Sequence, residues 1–223
     1  VEGGEASATN RVYPKEGLDL FSGQQLVQVG RYKRAGDAKV TITGDIGEEA
    51  KTFDFPAKLV KESSDQSFAF VEKLWAMRRI GEILDEIDLS GQNDELVKEL
   101  IGLSTKHGIL TPYTSYLADD QAAPRQLTDL SANLERTRVQ LRELEKSDGK
   151  QGVAQRAAKS EFKLAEQAPA APAAGFGGGA NAAAGAPLSN AFRDIESDKV
   201  VATDSIQAAG NQTLYRRGKT WIA

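Results

Sequence analysis

The residues with most chemical capacity lie between Ser104 and Ser115, where the single histidine, His107, has a serine on either side. An imidazole beside a hydroxyl is the pairing that general-base activation of a nucleophile needs, provided hydrogen-bond reach is met. But His107 also sits where a helix is expected to end, and a cation there answers the partial negative charge of the last carbonyls. The structural placement is the expected one. Asp85, Glu86 and Asp88 offer carboxylates to a metal, yet coordination needs converging oxygens and neighbouring helix positions diverge. They are expected on a solvated face. Gly175-x-Gly177-Gly178-Gly179 lacks the flanking strand and helix that aim backbone amides at a phosphate. With no cysteine, disulfides, thiolate metal sites and a cysteine nucleophile are excluded. The residues lead to the expectation that the chain is not an enzyme.

The element that positions His107 is a helix opening at Asn93, with Asp94 and Glu95 in its positive first turn. It presents Leu96, Val97, Leu100, Ile101 and Leu103, ends on Lys106 and His107, and places Gly108 at the left-handed position after the last turn. Thr111-Pro112 then predicts an extended exit through Tyr113 to Leu117. Ahead of it, Val71, Leu74, Trp75, Arg78, Ile80, Ile83, Leu84 and Ile87 follow helical spacing, widened by Phe70 and Met77. Asp65 or Ser67 can cap that helix, whose stripe is too broad for a surface element. Arg78 and Arg79 within that apolar helix invite a buried ion pair with Glu82 or Asp85, and the spacing permits Arg78–Glu82 and Arg79–Glu82 as ordinary surface pairs.

Earlier still, alternation predicts a hairpin of Gln25 to Lys33 with Ala38 to Thr43 through the turn Arg34 to Asp37, then a third strand from Lys51 to Val60. Phe53 and Phe55 share one face of that strand, and Pro56 marks an edge or bulge. Three such strands need a cover. After Pro124, Leu127, Leu130, Leu134, Leu141 and Leu144 make a heptad seam with Thr137 at its weak position, expected to pack on the body of the protein. Asp148-Gly149 interrupts it, and Val153 to Gln167 continues as a weaker helix. Ala168 to Pro187 holds ten alanines, five glycines, three prolines and no charge, the composition of a flexible linker. Ile206 to Ala209, Gln212 to Arg216 and Thr220 to Ala223 follow as short strands, with QTLYRRGKTWIA a hairpin ending on Trp221.

A length of 223 residues with 40% hydrophobic and 27% charged residues suits one or two soluble domains with a modest core. A net charge of -4 with no basic stripe gives no reason to expect nucleic acid. Arg31 to Arg34 and Arg216-Arg217 read as solvated strand ends. No apolar run approaches the ~20 residues of a membrane span. The chain begins at Val1 rather than at a methionine, so an upstream leader is not visible here.

Three blocks carry a family resemblance: DLFSGQQLVQVGRYKRAG from Asp19, FVEKLWAMRRIGEILDEI from Phe70, and LSTKHGILTPYTSYL from Leu103. With the tail Leu214 to Ile222, they resemble the region that follows the von Willebrand A domain in bacterial VIT/VWA proteins. These are similar in layout to the heavy chains of inter-alpha-trypsin inhibitor. His107 stands where the family commonly has tyrosine. The resemblance implies a β-sandwich-like layer with helices attached, in an exported protein of adhesion, matrix or surface-assembly type. Its implied partners are upstream VIT and A domains and an extracellular protein or matrix ligand. In the family a divalent cation is held by Asp-x-Ser-x-Ser in the A domain. DLSGQ (from Asp88) and DLSAN (from Asp129) lack that pattern, and the heavy chains' Asp-Pro processing site is missing, so no cofactor is expected in this chain.

The expected fold is therefore α+β: an antiparallel β-sandwich-like sheet packed with a helical subdomain, a flexible Ala/Gly linker and a C-terminal β-hairpin. The expected divisions are a sheet part over 1–66, a two-helix unit over 67–118, a long helical region over 119–167, the linker over 168–187 and a tail over 188–223. Phe21, Gly30, Tyr32, Leu74, Trp75, Gly108, Pro112, Tyr113 and Trp221 are the expected structural or interdomain anchors. The expected function is a non-catalytic module that braces an A domain, with assembly through the Leu127 to Leu144 helix as the alternative.

Overall fold

The computed structural model describes residues 8–15, 19–63, 65, 68–145, 150–165, 191–194, 197, 199–209 and 212–223. The Ala168 to Pro187 linker, the Asp148-Gly149 interruption and the Gly210-Asn211 turn lie outside them. The chain is α+β, its strands forming small antiparallel sheets. It divides into two units, Val1–Gln66 and Ser67–Ala223.

In the first unit, β1 (Thr9–Tyr13) pairs antiparallel with β2 (Val29–Tyr32), the register shifting between Asn10 and Tyr13. A side chain on Gly30 would place its Cβ 2.8 Å from Val12 Cγ2, so glycine is what lets the two strands approach. β3 (Gly36–Ile46) and β4 (Glu49–Leu59) make a separate ribbon, paired without interruption from Gly36 opposite Leu59 to Ile46 opposite Glu49. The hairpin expected between 25–33 and 38–43 is thereby corrected. Residues 29–32 pair with β1, and the strand after them turns back on β4. The reason lies in the loop: Gly47-Glu48 is a two-residue connection with Gly47 at φ 65°, which closes eleven consecutive pairs. The single three-stranded layer read from the alternation is accordingly two separate pairs of strands.

The second unit is built around α1 (Ala69–Ser90). Every residue from Leu74 to Gly81 is buried, which the breadth of its apolar stripe required. Phe68 occupies the N-cap position with no side-chain cap hydrogen bond, in place of the expected polar cap. α2 (Asp94–His107) packs on α1 and ends as its sequence predicts: Asn93 Oδ1 accepts from Glu95 N at 2.8 Å, and Gly108 is left-handed at φ 61°. The exit differs from expectation. Pro112 to Thr114 form a turn that runs into a short 3-10 helix, Ser115–Ala118, because the Thr111 and Thr114 hydroxyls bond each other and close the loop.

The region after Pro124 is two helices, not one. Asp129 separates α3 (Arg125–Thr128) from α4 (Leu130–Glu145), and its Oδ1 accepts from Ala132 N at 3.0 Å, the bond of an N-cap. α4 lies on α2, with Asn133, Thr137 and Leu141 buried and Leu130 exposed. α5 (Lys150–Lys163) crosses α1 at Gly81, where an added Cβ would meet Lys163 Cγ at 2.6 Å. β5 (Ala191–Asp194) pairs with β6 (Lys199–Ala202). β7 (Ile206–Ala209), β8 (Gln212–Arg217) and β9 (Thr220–Ile222) form a three-stranded sheet in chain order. Ile206 and Tyr215 from that sheet pack with Leu110 and Leu117 in one buried cluster.

Candidate functional site

α2 ends with its histidine turned toward α1. His107 Nε2 lies 3.9 Å from Glu72 Oε1, and the imidazole is 11% exposed. Burial pushes its pKa down to about 4, against a smaller upward pull from Glu72, so the ring is neutral near pH 7. Lys73 shares this environment, and burial pushes its ammonium down to about 8. Among the described residues, no hydrogen bond joins His107 to Ser104 or Ser115. Instead, the Ser104 hydroxyl accepts from Thr114 Oγ1 at 3.4 Å.

The hydroxyls around His107 belong to a buried knot. Thr111 N donates to Thr114 Oγ1 at 3.1 Å, the two threonine hydroxyls share a 2.9 Å bond, and Tyr113 N donates to Thr111 Oγ1 at 3.2 Å. Ser104, Thr111 and Thr114 are completely buried. Tyr113 OH accepts from Gln155 Nε2 of α5 at 2.7 Å. Tyr116 OH shares a bond with Thr137 Oγ1 of α4 at 3.1 Å. These hydroxyls satisfy backbone and one another, and each bond left unmet in a buried position costs about 1–3 kcal/mol. Their arrangement is that of a scaffold joining α2, α4 and α5.

Two arginines of α1 lie inside the fold rather than on its surface. Arg78 Nε donates to the Ala165 carbonyl at 2.9 Å. Arg79 grips Glu99 of α2 with two bonds, 3.1 and 2.7 Å, and reaches Glu86 at 3.0 Å. Asp85 and Asp88 likewise face α5, pairing with Lys163 at 2.5 Å and with Lys159 respectively. Arg216 and Arg217 are not solvated strand ends either. Arg217 is 6% exposed, donates to the Leu117 carbonyl at 3.0 Å and lies over the Tyr215 ring, while Arg216 bridges Asp120 and Asp204. For Arg78 and Arg79 the signal is in the sequence, an arginine inside an otherwise apolar stretch, which must bring a partner with it.

Of the expected anchors, Leu74, Trp75, Gly108, Pro112 and Tyr113 are buried. Gly30 makes the close strand contact described above. Tyr32 is half-exposed and donates its hydroxyl to the Val60 carbonyl at 2.5 Å. Phe21, 69% exposed, sits in a turn that Gly23 closes, and Trp221, 37% exposed, lies on the edge strand β9, so neither enters a core. Among the described residues, no group of three or more His, Asp or Glu is placed to hold a metal ion. No described helix is long and apolar enough to cross a membrane.

An open apolar surface lies on the β3–β4 ribbon. Val40 pairs with Phe55 and Ile42 with Phe53, so all four side chains share one face. They remain 46, 50, 55 and 49% exposed in that order. Opposite them, Thr41 and Lys39 bond Asp54 on the polar face. An alternating ribbon with one apolar face is built to be covered. The chain was compared with protein-family models, curated proteins and solved structures, and no match was found in any of the three.

Proposed function

We propose that this chain is a non-catalytic structural and interaction module of an exported VIT/VWA protein of adhesion or matrix type, bracing the A domain ahead of it. The observation that carries this reading is the open apolar face of the β3–β4 ribbon. Two strands with one apolar side are marginal alone. Covering Val40, Ile42, Phe53 and Phe55 fully would contribute roughly 3–6 kcal/mol, taking half of the usual burial value for each. The adhesion context rests on the three sequence blocks, and the scaffold roles of the Thr111 to Tyr116 hydroxyls agree with a bracing part.

The test extends the chain with the residues encoded ahead of Val1 and compares amide exchange in β3 and β4 with and without them. Slower exchange at Val40 to Ile42 and Phe53 to Phe55 in the extended protein, restored to fast by Phe55→Asp, is the expected result. A reading frame with no A domain ahead of Val1, or a ribbon that exchanges equally fast in both proteins, overturns the reading.

A further inference from the structure

We propose that the outer face of α4 is a self-association surface, on which a second copy of this chain lays its own α4 antiparallel. This goes beyond the bracing role and does not depend on it. The inner face of α4 carries Asn133, Thr137 and Leu141, buried against the chain itself, while Leu130 of the leucine seam is exposed. What α4 leaves outside is a groove of about 440 Å³ lined by Tyr116, Ala132, Glu135, Arg136, Val139 and Glu143. The α4 members recur at helical spacings of three, four and seven, so they form one stripe.

Charge points to the occupant. Arg138 pairs with Asp94, and Arg142 pairs with Glu135 at 3.2 Å. Arg136 and Glu143 make no ion pair among the described residues and are both exposed, the Arg136 guanidinium resting 5.8 Å from the Tyr116 ring centroid. Seven residues, or about 10.5 Å along the helix, separate them. A second α4 running antiparallel about a twofold axis between Val139 and Gln140 places Arg136 of each copy opposite Glu143 of the other. Two reciprocal ion pairs then flank the apolar centre formed by Val139 and Tyr116.

Other arrangements are disfavoured by the same charges. A parallel pair in register sets Arg136 on Arg136. A twofold axis through Val139 itself sets Glu135 on Glu143 and Arg136 on Arg142. Like charges in direct opposition select against both. The face is one stripe of a single helix between Ala132 and Glu143, so association is weak, concentration-dependent and screened by salt.

Analytical ultracentrifugation of the whole chain from ~10 µM to ~1 mM at low salt reads the equilibrium directly. A monomer–dimer equilibrium is expected, with Kd raised roughly tenfold or more by Arg136→Glu or by Glu143→Arg alone. The double variant recovers the wild-type Kd, and an equimolar mixture of the two single variants forms a heterodimer tighter than either homodimer. Circular dichroism melts confirm that each variant is folded, as exposed positions predict. A wild-type monomer at every concentration overturns the proposal. So does a dimer that neither reversal weakens, or one that the double variant fails to recover.

Discussion

The Tyr215 hydroxyl donates to the Thr105 carbonyl at 2.6 Å, closing a contact between β8 and the last turn of α2 across 110 residues of sequence. The last carbonyls of a helix have no partner within it. Here the strand supplies them: Thr213 Oγ1 donates to the Lys106 carbonyl at 2.8 Å, and Tyr215 OH also lies 3.3 Å from the Ser104 carbonyl. Gly108 makes room for this, since a Cβ there would meet Thr213 Cγ2 at 2.8 Å and Ile206 Cγ2 at 3.1 Å. One glycine therefore serves both as the helix terminator and as the seat for the C-terminal sheet. Burial raises the phenol's pKa above its ordinary value, so Tyr215 stays a donor well into alkaline solution.

Tyr215→Phe keeps the ring in the Leu110–Leu117 cluster and removes only the donor. The Thr105 carbonyl loses its buried partner, at a cost of about 1–3 kcal/mol. Urea unfolding followed by far-UV circular dichroism should show a lower midpoint with an unchanged slope. A midpoint equal to wild type would mean that the strand does not cap the helix.

Arg79 joins α1 to α2 through Glu99, and the pair is taken largely out of water: the arginine side chain is 7% exposed and Glu99 is 23% exposed. Arg79→Ala leaves a carboxylate without its guanidinium and should cost about 3–5 kcal/mol. Arg79→Lys should recover only part of that, because an ammonium cannot match two carboxylate oxygens at once. The Arg79→Ala/Glu99→Ala double variant should be more stable than the sum of the two single losses implies. Strict additivity in that cycle would argue that the clamp carries no coupling.

The parts of this fold that were legible in the sequence are those fixed within a few residues of themselves. Asn93 and Gly108 bracket α2 because a cap and a left-handed glycine act locally. The three C-terminal strands were legible for the same reason, as alternation interrupted by turns. The pairing of 36–46 with 49–59 was missed because period-two patterning says which face is apolar and not which neighbour is hydrogen-bonded. The 3-10 turn at Ser115 was missed because the Thr111–Thr114 bond overrides the extended bias before and after a proline. Glu99 for Arg79, Lys163 for Asp85 and the Leu117 carbonyl for Arg217 lie on other elements, so no spacing rule within one helix or strand could name them.

Gly81→Ala tests how closely α1 and α5 must approach. An added methyl would sit 2.6 Å from Lys163 Cγ, 3.1 Å from the Lys163 backbone nitrogen and 3.3 Å from Phe162 Cβ. The lysine side chain can swing away, but the backbone contact cannot be relieved without moving α5. Overpacking of this kind costs about 1–3 kcal/mol, which outweighs the helix-propensity gain of up to about 1 kcal/mol. Faster amide exchange in α5 than in α2 should accompany a lower melting temperature. An unchanged or higher melting temperature would show that the crossing is loose.

His107 makes stability depend on pH with a definite sign. Its folded pKa is pushed down to about 4 from 6.5, chiefly by burial, with Lys106 and Lys73 adding to the depression and Glu72 opposing it. Between those values the unfolded chain binds a proton that the folded chain refuses. The stabilising term is therefore complete above about pH 6.5 and is lost progressively as the pH falls toward 4, amounting to at most about 3 kcal/mol. Carboxylates also lose stability in acid, so the informative quantity is the difference between wild type and His107→Gln. Unfolding free energies from about pH 7.5 to pH 4.5 should fall more steeply for wild type than for the variant. An imidazole proton resonance of the folded protein titrating near 6.5 would defeat this account, because a histidine with the same pKa folded and unfolded contributes no slope.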